Sequence, residues 1–303
     1  MNGSSRFLPV RFKQEAKDFL ERILIPSVAI GLPWSWAFRF FKWATAYCQW
    51  LYSSQGKIAL MEAQKVITIN HPEQWLQTYR LIQLIDQGDL YLSRFRSNGW
   101  LNRYVKVTGT WPKPPFLGIT FHWGAGLWSL RHLQSQGISA TYLSARFNRA
   151  SFPQRWIAYL YTRLRIKEIE QASGGSVIYK GGSIAQMQVA VQEGKAITAL
   201  IDVPPREVGV CLPIRLLNRQ AWWPSGLVKF AVREEIPVVA FSMQMDLMNG
   251  IRQLHISPEL PNHDPQTLID SLASYFSDLL IQTPSAWHCW NLVQEFFKNK
   301  TPK

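Results

Sequence analysis

Hydrophobic and polar positions keep two rhythms along this chain. From about residue 100 onward, short apolar runs alternate with amphipathic stretches of helical length. "YVKVTG", "PFLGITF", "SATYLSA", "SVIYKG", "KAITALID", "LPIRLL", "IPVVAFSMQ" and "IRQLHIS" have the length and the β-branched and aromatic content of strands. Helix patterns lie between them. They are "GLWSLRHLQSQG" with a stop at Gly137, Pro153 to Arg165, "SIAQMQVAVQEG" with Ser183 as cap and Gly194 as stop, and Ser225 to Glu235. Two more helices are predicted at the end, from about Asp264 to Gln282 and from Pro284 to Lys298. Strands spaced by helices of this length predict an α/β fold: a central, mostly parallel twisted sheet with helices on both faces.

Upstream the rhythm is helical. Residues 1 to 60 read as helix, and so does His71 to about Phe95, with apolar positions at Trp75, Leu76, Tyr79, Ile82 and Ile85. "KVITIN" (65 to 70) fits either a short strand or a helix end. The uncharged run from Ile23 to Phe38 is interrupted by Pro26 and Pro33, and it is shorter than the ~20 residues a spanning helix needs. It is followed by Trp43 and Trp50, with Arg39 and Lys42 among the tryptophans. Trp34, Trp36, Trp43 and Trp50 suit headgroup depth, so the segment is expected to lie in a membrane interface without crossing it. A buried helical hairpin is the alternative. Two units result: an N-terminal helical membrane-interface segment, 1–60, and an α/β domain, 61–303.

Composition changes this picture in three ways. Hydrophobic residues make up 47% and charged residues 17%, which supports a sizeable core and excludes disorder. The net charge of +13, from 33 Lys+Arg against 20 Asp+Glu, points to nucleic acid, anionic lipid or an acidic protein. No zinc finger, RNP motif or basic zipper is present, and the basic residues are spread along the chain, so no nucleic-acid partner is expected. Cys48, Cys211 and Cys289 are widely spaced and form no CxxC. Neither a metal site, a cofactor nor a disulfide framework is expected, and the thiols read as small buried hydrophobes in a reducing compartment. The N-terminus lacks the pattern of a signal peptide.

Chemistry gathers beyond the carboxyl ends of the strands in such sheets. His122 follows "PFLGITF", Arg146 follows "SATYLSA", and Asp202 ends "KAITALID" ahead of Pro204 and Pro205. In "HWGAG", Gly124 and Gly126 leave room for a close backbone approach, and their N–H groups could hold an oxyanion or a phosphate. Tight packing of helix on sheet is the other reading of these glycines. Arg146, Arg149 and Arg155 are candidates for a phosphate, Arg146 foremost. His71, His132, His255 and His288 are assigned to structure, and Trp287 and Trp290 to one face of the last helix.

These residues resemble a family. "LGITFHWGAG", "YLSARFNRASFPQRWIAYLYTRLRI", "GGSVIYKGGSIAQMQVAVQEGKAITALIDVPP", "LPIRLLNRQAWWPSGLVKFAVREEIPVVAF" and "TPSAWHCWNLVQEFF" stand in the order of segments in the lipid A biosynthesis acyltransferases. That lauroyl/myristoyl transferase group belongs to the HX4(D/E) acyltransferases. The resemblance implies a glycerolipid-acyltransferase-like fold and a peripheral or monotopic O-acyltransferase on the cytoplasmic face of the bacterial inner membrane. It implies a fatty acyl donor, either an acyl carrier protein or acyl-CoA, and a hydroxyl acceptor on a lipid or glycolipid. His122 would be the general base. The motif's acid is replaced here by Leu127, and no acidic residue occurs between Leu90 and Lys167. Asp202 from another strand end, or a backbone carbonyl, is expected to take the acid's place. A catalytically impaired lipid-binding or assembly protein is the alternative function. The acceptor and the acyl chain length are not encoded in any spacing.

Overall fold

A computed structural model of the chain describes residues 7–298; the first six and last five positions of the two predicted units lie outside the described residues. The N-terminal helices are α1 (Phe7–Phe19), which continues through a π-helical turn at Leu20–Leu24 into α2 (Ile25–Gly31), then α3 (Trp34–Tyr47) and α4 (Ser53–Gln64). The long α5 (Pro72–Phe95) and short α6 (Asn98–Asn102) lead into the alternating region. That region runs β1 (Val105–Thr108), β2 (Leu117–Thr120), α7 (Leu127–Ser135), β3 (Ala140–Ser144), α8 (Trp156–Ser173), β4 (Val177–Tyr179), α9 (Ser183–Gln192) and β5 (Ala196–Leu200). After it come β6 (Cys211–Leu216), β7 (Arg219–Pro224), α10 (Gly226–Arg233), β8 (Val238–Met245), β9 (Arg252–Ile256), α11 (Pro265–Gln282) and a last turn, α12 (Val293–Phe296).

Seven strands form one sheet in the order β1-β9-β8-β2-β5-β3-β4. Its pairs are parallel except β8 with β9, so the sheet is mixed and mostly parallel. β6 and β7 form a separate antiparallel hairpin. Apolar residues fill both faces of the central strands, as crossover connections require. Leu117, Ile119, Val238 and Ala240 pack toward α9, α10 and α11, whereas Phe116, Val239 and Phe241 pack toward α3, α5 and α7. This second cluster also holds Ala29, Trp34, Phe38 and Phe41, so the N-terminal helices share a core with the sheet.

Several expectations need correction. Of the two readings of residues 65–70 the helix end holds and the strand does not: they form a turn and bend that closes α4. Helix α8 begins at Trp156 and reaches Ser173, well past Arg165. Ser183 does not cap α9; it is the first helical residue, and Gly182 precedes it with φ +72°. The strand β7 was unforeseen, because "RQAWWP" has no clean alternation. The predicted helix from Pro284 to Lys298 is broken into 3-10 turns at Pro284–Ala286 and Trp290–Leu292 and then α12.

Among the described residues no helix is long and apolar enough to cross a membrane. Trp34 is not at a surface: its ring is buried and its Nε1–H donates to the Gly250 carbonyl at 2.7 Å. The opposite face of α3 is different. Trp36, Trp43 and Tyr47 are 65%, 54% and 74% exposed, and Phe40 stacks on Trp43 between them. Positions 36, 40, 43 and 47 lie along one side of a helix, with Arg39 and Lys42 exposed alongside.

Candidate active site

β2 and β5 are adjacent and parallel, with Thr120 opposite Leu200. Two residues further along each chain stand His122 and Asp202. The register therefore delivers an imidazole and a carboxylate to the same level, at the middle of the sheet's carboxyl edge. His122 donates from Nδ1 to Asp202 Oδ1 at 3.0 Å. Its backbone N–H also reaches the carboxylate, at 2.9 Å to Oδ2. The indole Nε1–H of Trp287 donates to Oδ2 at 2.8 Å. Asp202 is completely buried, while the His122 side chain is 38% exposed. The carboxylate thus holds one tautomer of the ring and leaves Nε2 free to exchange a proton.

The third side of the site comes from the chain's last segment. Because the predicted helix ends at the 3-10 turn Pro284–Ala286, the extended Trp287 comes to lie beside residues 122–124. Gly124 N–H donates to the Ala286 carbonyl at 2.9 Å, and His288 N–H donates to the His122 carbonyl at 2.8 Å. Trp123 and Trp287 form an antiparallel bridge. Trp287 is walled in by Phe276, Trp290 and Phe296, with ring centroids 4.9–5.9 Å away. His288 donates from Nε2 to the Gly124 carbonyl at 2.7 Å, and its Nδ1 accepts from the Gln83 amide. Burial lowers the His288 pKa, which keeps this ring neutral and structural.

Cys289 follows directly. Its sulfur, a nitrogen of His122 and an oxygen of Asp202 all lie within 4.8 Å of one another. Burial pushes the Cys289 thiol up, and the His122 ring only partly offsets that. Burial disfavours a charged His122, but Cys289 and Asp202 outweigh it and hold the imidazole well above the usual 6.5. His, Asp and Cys together are also a set that could ligate a metal. Here both carboxylate oxygens already accept N–H donors and Nδ1 is committed to one of them. The geometry is that of a proton-transfer dyad, not of a tetrahedral cation site with converging lone pairs.

The remaining candidates divide. Gly124 has φ +56°, and a Cβ there would stand 2.1 Å from the Met243 carbonyl oxygen, so the close approach is real. Its N–H is spent on Ala286, however, which corrects the reading of Gly124 as an oxyanion or phosphate donor. Gly126 is the N-cap of α7, and its carbonyl accepts from Ser129 N–H at 3.1 Å. Arg146 is exposed in the loop after β3, its guanidinium 5.2 Å from the Tyr179 ring centre. Arg149 is folded back on its own loop, over Trp156 and Tyr159 and bonded to the Phe152 carbonyl. Arg155 is no phosphate ligand: it grips Asp18 of α1 with Nε and Nη2 at 2.9 and 2.6 Å. Leu127, at the motif's acid position, opens α7 and is buried with Leu90, Tyr91, Leu130 and Tyr161.

Trp287, His288 and Cys289 were set aside on sequence grounds. The available signal was Pro284 followed by a histidine and a cysteine between two tryptophans, which a continuous helix leaves without a purpose. No protein-family model matches this chain, and no curated protein matches its sequence.

Proposed function

We propose that this chain is a peripheral membrane acyltransferase that moves a fatty acyl group from an acyl thioester to a hydroxyl of a lipid or glycolipid. The observation that carries the reading is the His122–Asp202 pair, joined at 3.0 Å where two adjacent parallel strands end. An acid supplied by β5 does for His122 what an acid four residues further on does in the HX4(D/E) family the sequence resembles. This is why Leu127 is free to pack in the core. His122 Nε2 accepts the proton of the attacking group as that group adds to the thioester carbonyl, and Asp202 balances the imidazolium that forms. The net charge of +13 suits an acidic carrier protein as donor and an anionic leaflet as the site of work.

With dodecanoyl-coenzyme A as donor and a hydroxyl-bearing glycolipid in vesicles as acceptor, His122→Ala is expected to lower ester formation by roughly 10²–10⁴-fold, the usual contribution of a positioned base. Undiminished ester formation in that variant removes the reading.

The exposed side of α3 is the proposed membrane contact. Two half-exposed indoles sinking to headgroup depth contribute on the order of 2 kcal/mol by area, more than tenfold in partitioning. Trp36→Ser with Trp43→Ser is therefore expected to shift most of the protein from sedimented anionic vesicles into the supernatant. Trp34 is excluded from this test, because it belongs to the core. Unchanged co-sedimentation eliminates α3 as the contact.

A further inference from the structure

We propose that Trp287 is a positioning residue of this site: its indole N–H holds the Asp202 carboxylate in one orientation and shares its charge, so that His122 can become neutral and act as a base; this rests on the acyltransferase reading above. Burial separates Asp202 from bulk water, which leaves N–H donors to stabilise its charge. Trp287 Nε1–H meets Oδ2 at 2.8 Å, the oxygen turned away from His122 Nδ1. The His122 backbone N–H lies between the two oxygens, at 3.1 and 2.9 Å. Two donors therefore come from His122 itself, and the indole is the donor that comes from a different element. A hydrogen bond to an ionised acceptor is stronger than one between neutral groups. By stabilising the carboxylate from its far side, the indole weakens its hold on a proton of the imidazole.

The surroundings of Trp287 hold the indole in this place. Its side chain is fully buried, with Phe276 and Trp290 edge-on at 5.4 and 4.9 Å. Its backbone forms the bridge to Trp123, and its neighbours Ala286 and His288 bond to Gly124 and His122. A tryptophan needed only for volume does not have to aim its polar atom at a buried acid. Trp123 and Trp223 show this: both are buried in the same cluster, and their Nε1 atoms find no hydrogen-bond partner among the described residues. The other titratable groups around the His122 ring are Cys289 beside it, Tyr142 of β3 and His288, with Arg165 of α8 and Asp86 of α5 acting on the last two. All of them remain when Trp287 is changed.

The test follows the ring itself. In the full chain labelled with carbon-13 histidine, the His122 Cε1 resonance, assigned by its loss in His122→Ala, is titrated against pH. Trp287→Phe is expected to move the His122 midpoint to higher pH by about one unit, the order of one charge-assisted hydrogen bond. On the acid limb of ester formation this lowers the rate at a given pH by about tenfold. Trp290→Phe is the control: Trp290 is equally buried, but its Nε1–H donates to the Pro284 carbonyl, so its midpoint should stay at the parental value. Benzothienylalanine at position 287, with sulfur in place of the N–H and the same ring shape, should reproduce the shift without a cavity. Circular dichroism and thermal melts verify folding. A folded Trp287→Phe or benzothienyl variant with the parental midpoint overturns the role of the indole and leaves the transferase intact. So does an equal shift in Trp290→Phe, because packing then accounts for it. A parent that forms no ester, while Trp287→Phe still shifts His122, overturns the acyltransferase reading and keeps the indole's hold on the carboxylate.

Discussion

Asp202→Asn is expected to lose about 10⁴ in turnover, as in hydrolase triads whose acid is made neutral. In this protein the reason is specific. Asp202 is buried and accepts three N–H groups: the His122 backbone, His122 Nδ1 and Trp287 Nε1. An asparagine there offers one oxygen, and its amide protons face donors, so the imidazole is turned or held in the wrong tautomer. A structural effect alone also lowers the rate, and the pH profile separates the two. In the parent, His122 is raised above 6.5 and works as a base only when neutral. The acid limb of the rate profile should therefore lie on the alkaline side of an ordinary histidine. Removing the carboxylate charge lowers the His122 pKa, so the limb moves to lower pH even as the plateau drops. Stability carries the same sign. A histidine whose folded pKa is raised stabilises fully below its unfolded value, and that part is lost as pH rises through the folded value. Asp202→Asn should flatten this alkaline decline. An acid limb that stays put, with turnover intact, shows that Asp202 does not act on His122.

How much of this was legible in the sequence depends on the range of each interaction. The strand–helix alternation, the ends of β2 and β5, and the placement of His122 and Asp202 at them were readable from local pattern and from Pro204 and Pro205. That His122 and Asp202 touch was not, because strand order is a long-range property and β5 could have entered the sheet elsewhere. Trp287 and Trp290 were misread for a local reason. Their spacing of three imitates a helix face, yet Ala286 to His288 gain more by pairing with residues 122–124 and closing the site. Trp34 and Trp36 show the same limit: identical residues two positions apart on α3 face opposite ways, one into the core and one outward. Arg155 looked like a phosphate ligand only because its partner, Asp18, lies on a distant helix.

Arg252→Met is expected to cost about 3–5 kcal/mol of stability at neutral pH, the range for removing one member of a buried ion pair. Arg252 and Asp89 are both completely buried and meet through two guanidinium–carboxylate contacts, Nε to Oδ2 at 2.9 Å and Nη2 to Oδ1. The guanidinium also lies between the rings of Trp128 and Trp34, 3.5 and 4.2 Å from their centres. Cation–π contacts of this desolvated kind are each worth up to about 2 kcal/mol. One side chain from β9 thereby ties α3, α5 and α7 together, and with them the N-terminal helices to the sheet. Burial raises the Asp89 carboxyl to about 6 in spite of Arg252. Its folded pKa being raised, the group favours the fold in acid and loses that contribution as pH rises through 6. Without Arg252 the pKa climbs further, so the penalty of the variant should shrink as acid protonates the orphaned carboxyl. Chemical denaturation at pH 7.5 and pH 5 measures both effects. Adding Asp89→Leu to Arg252→Met should recover part of the loss, since an apolar pair leaves no buried charge. A single variant within 1 kcal/mol of the parent at pH 7.5, outside the expected range, removes the pair from any role in joining the N-terminal helices to the sheet.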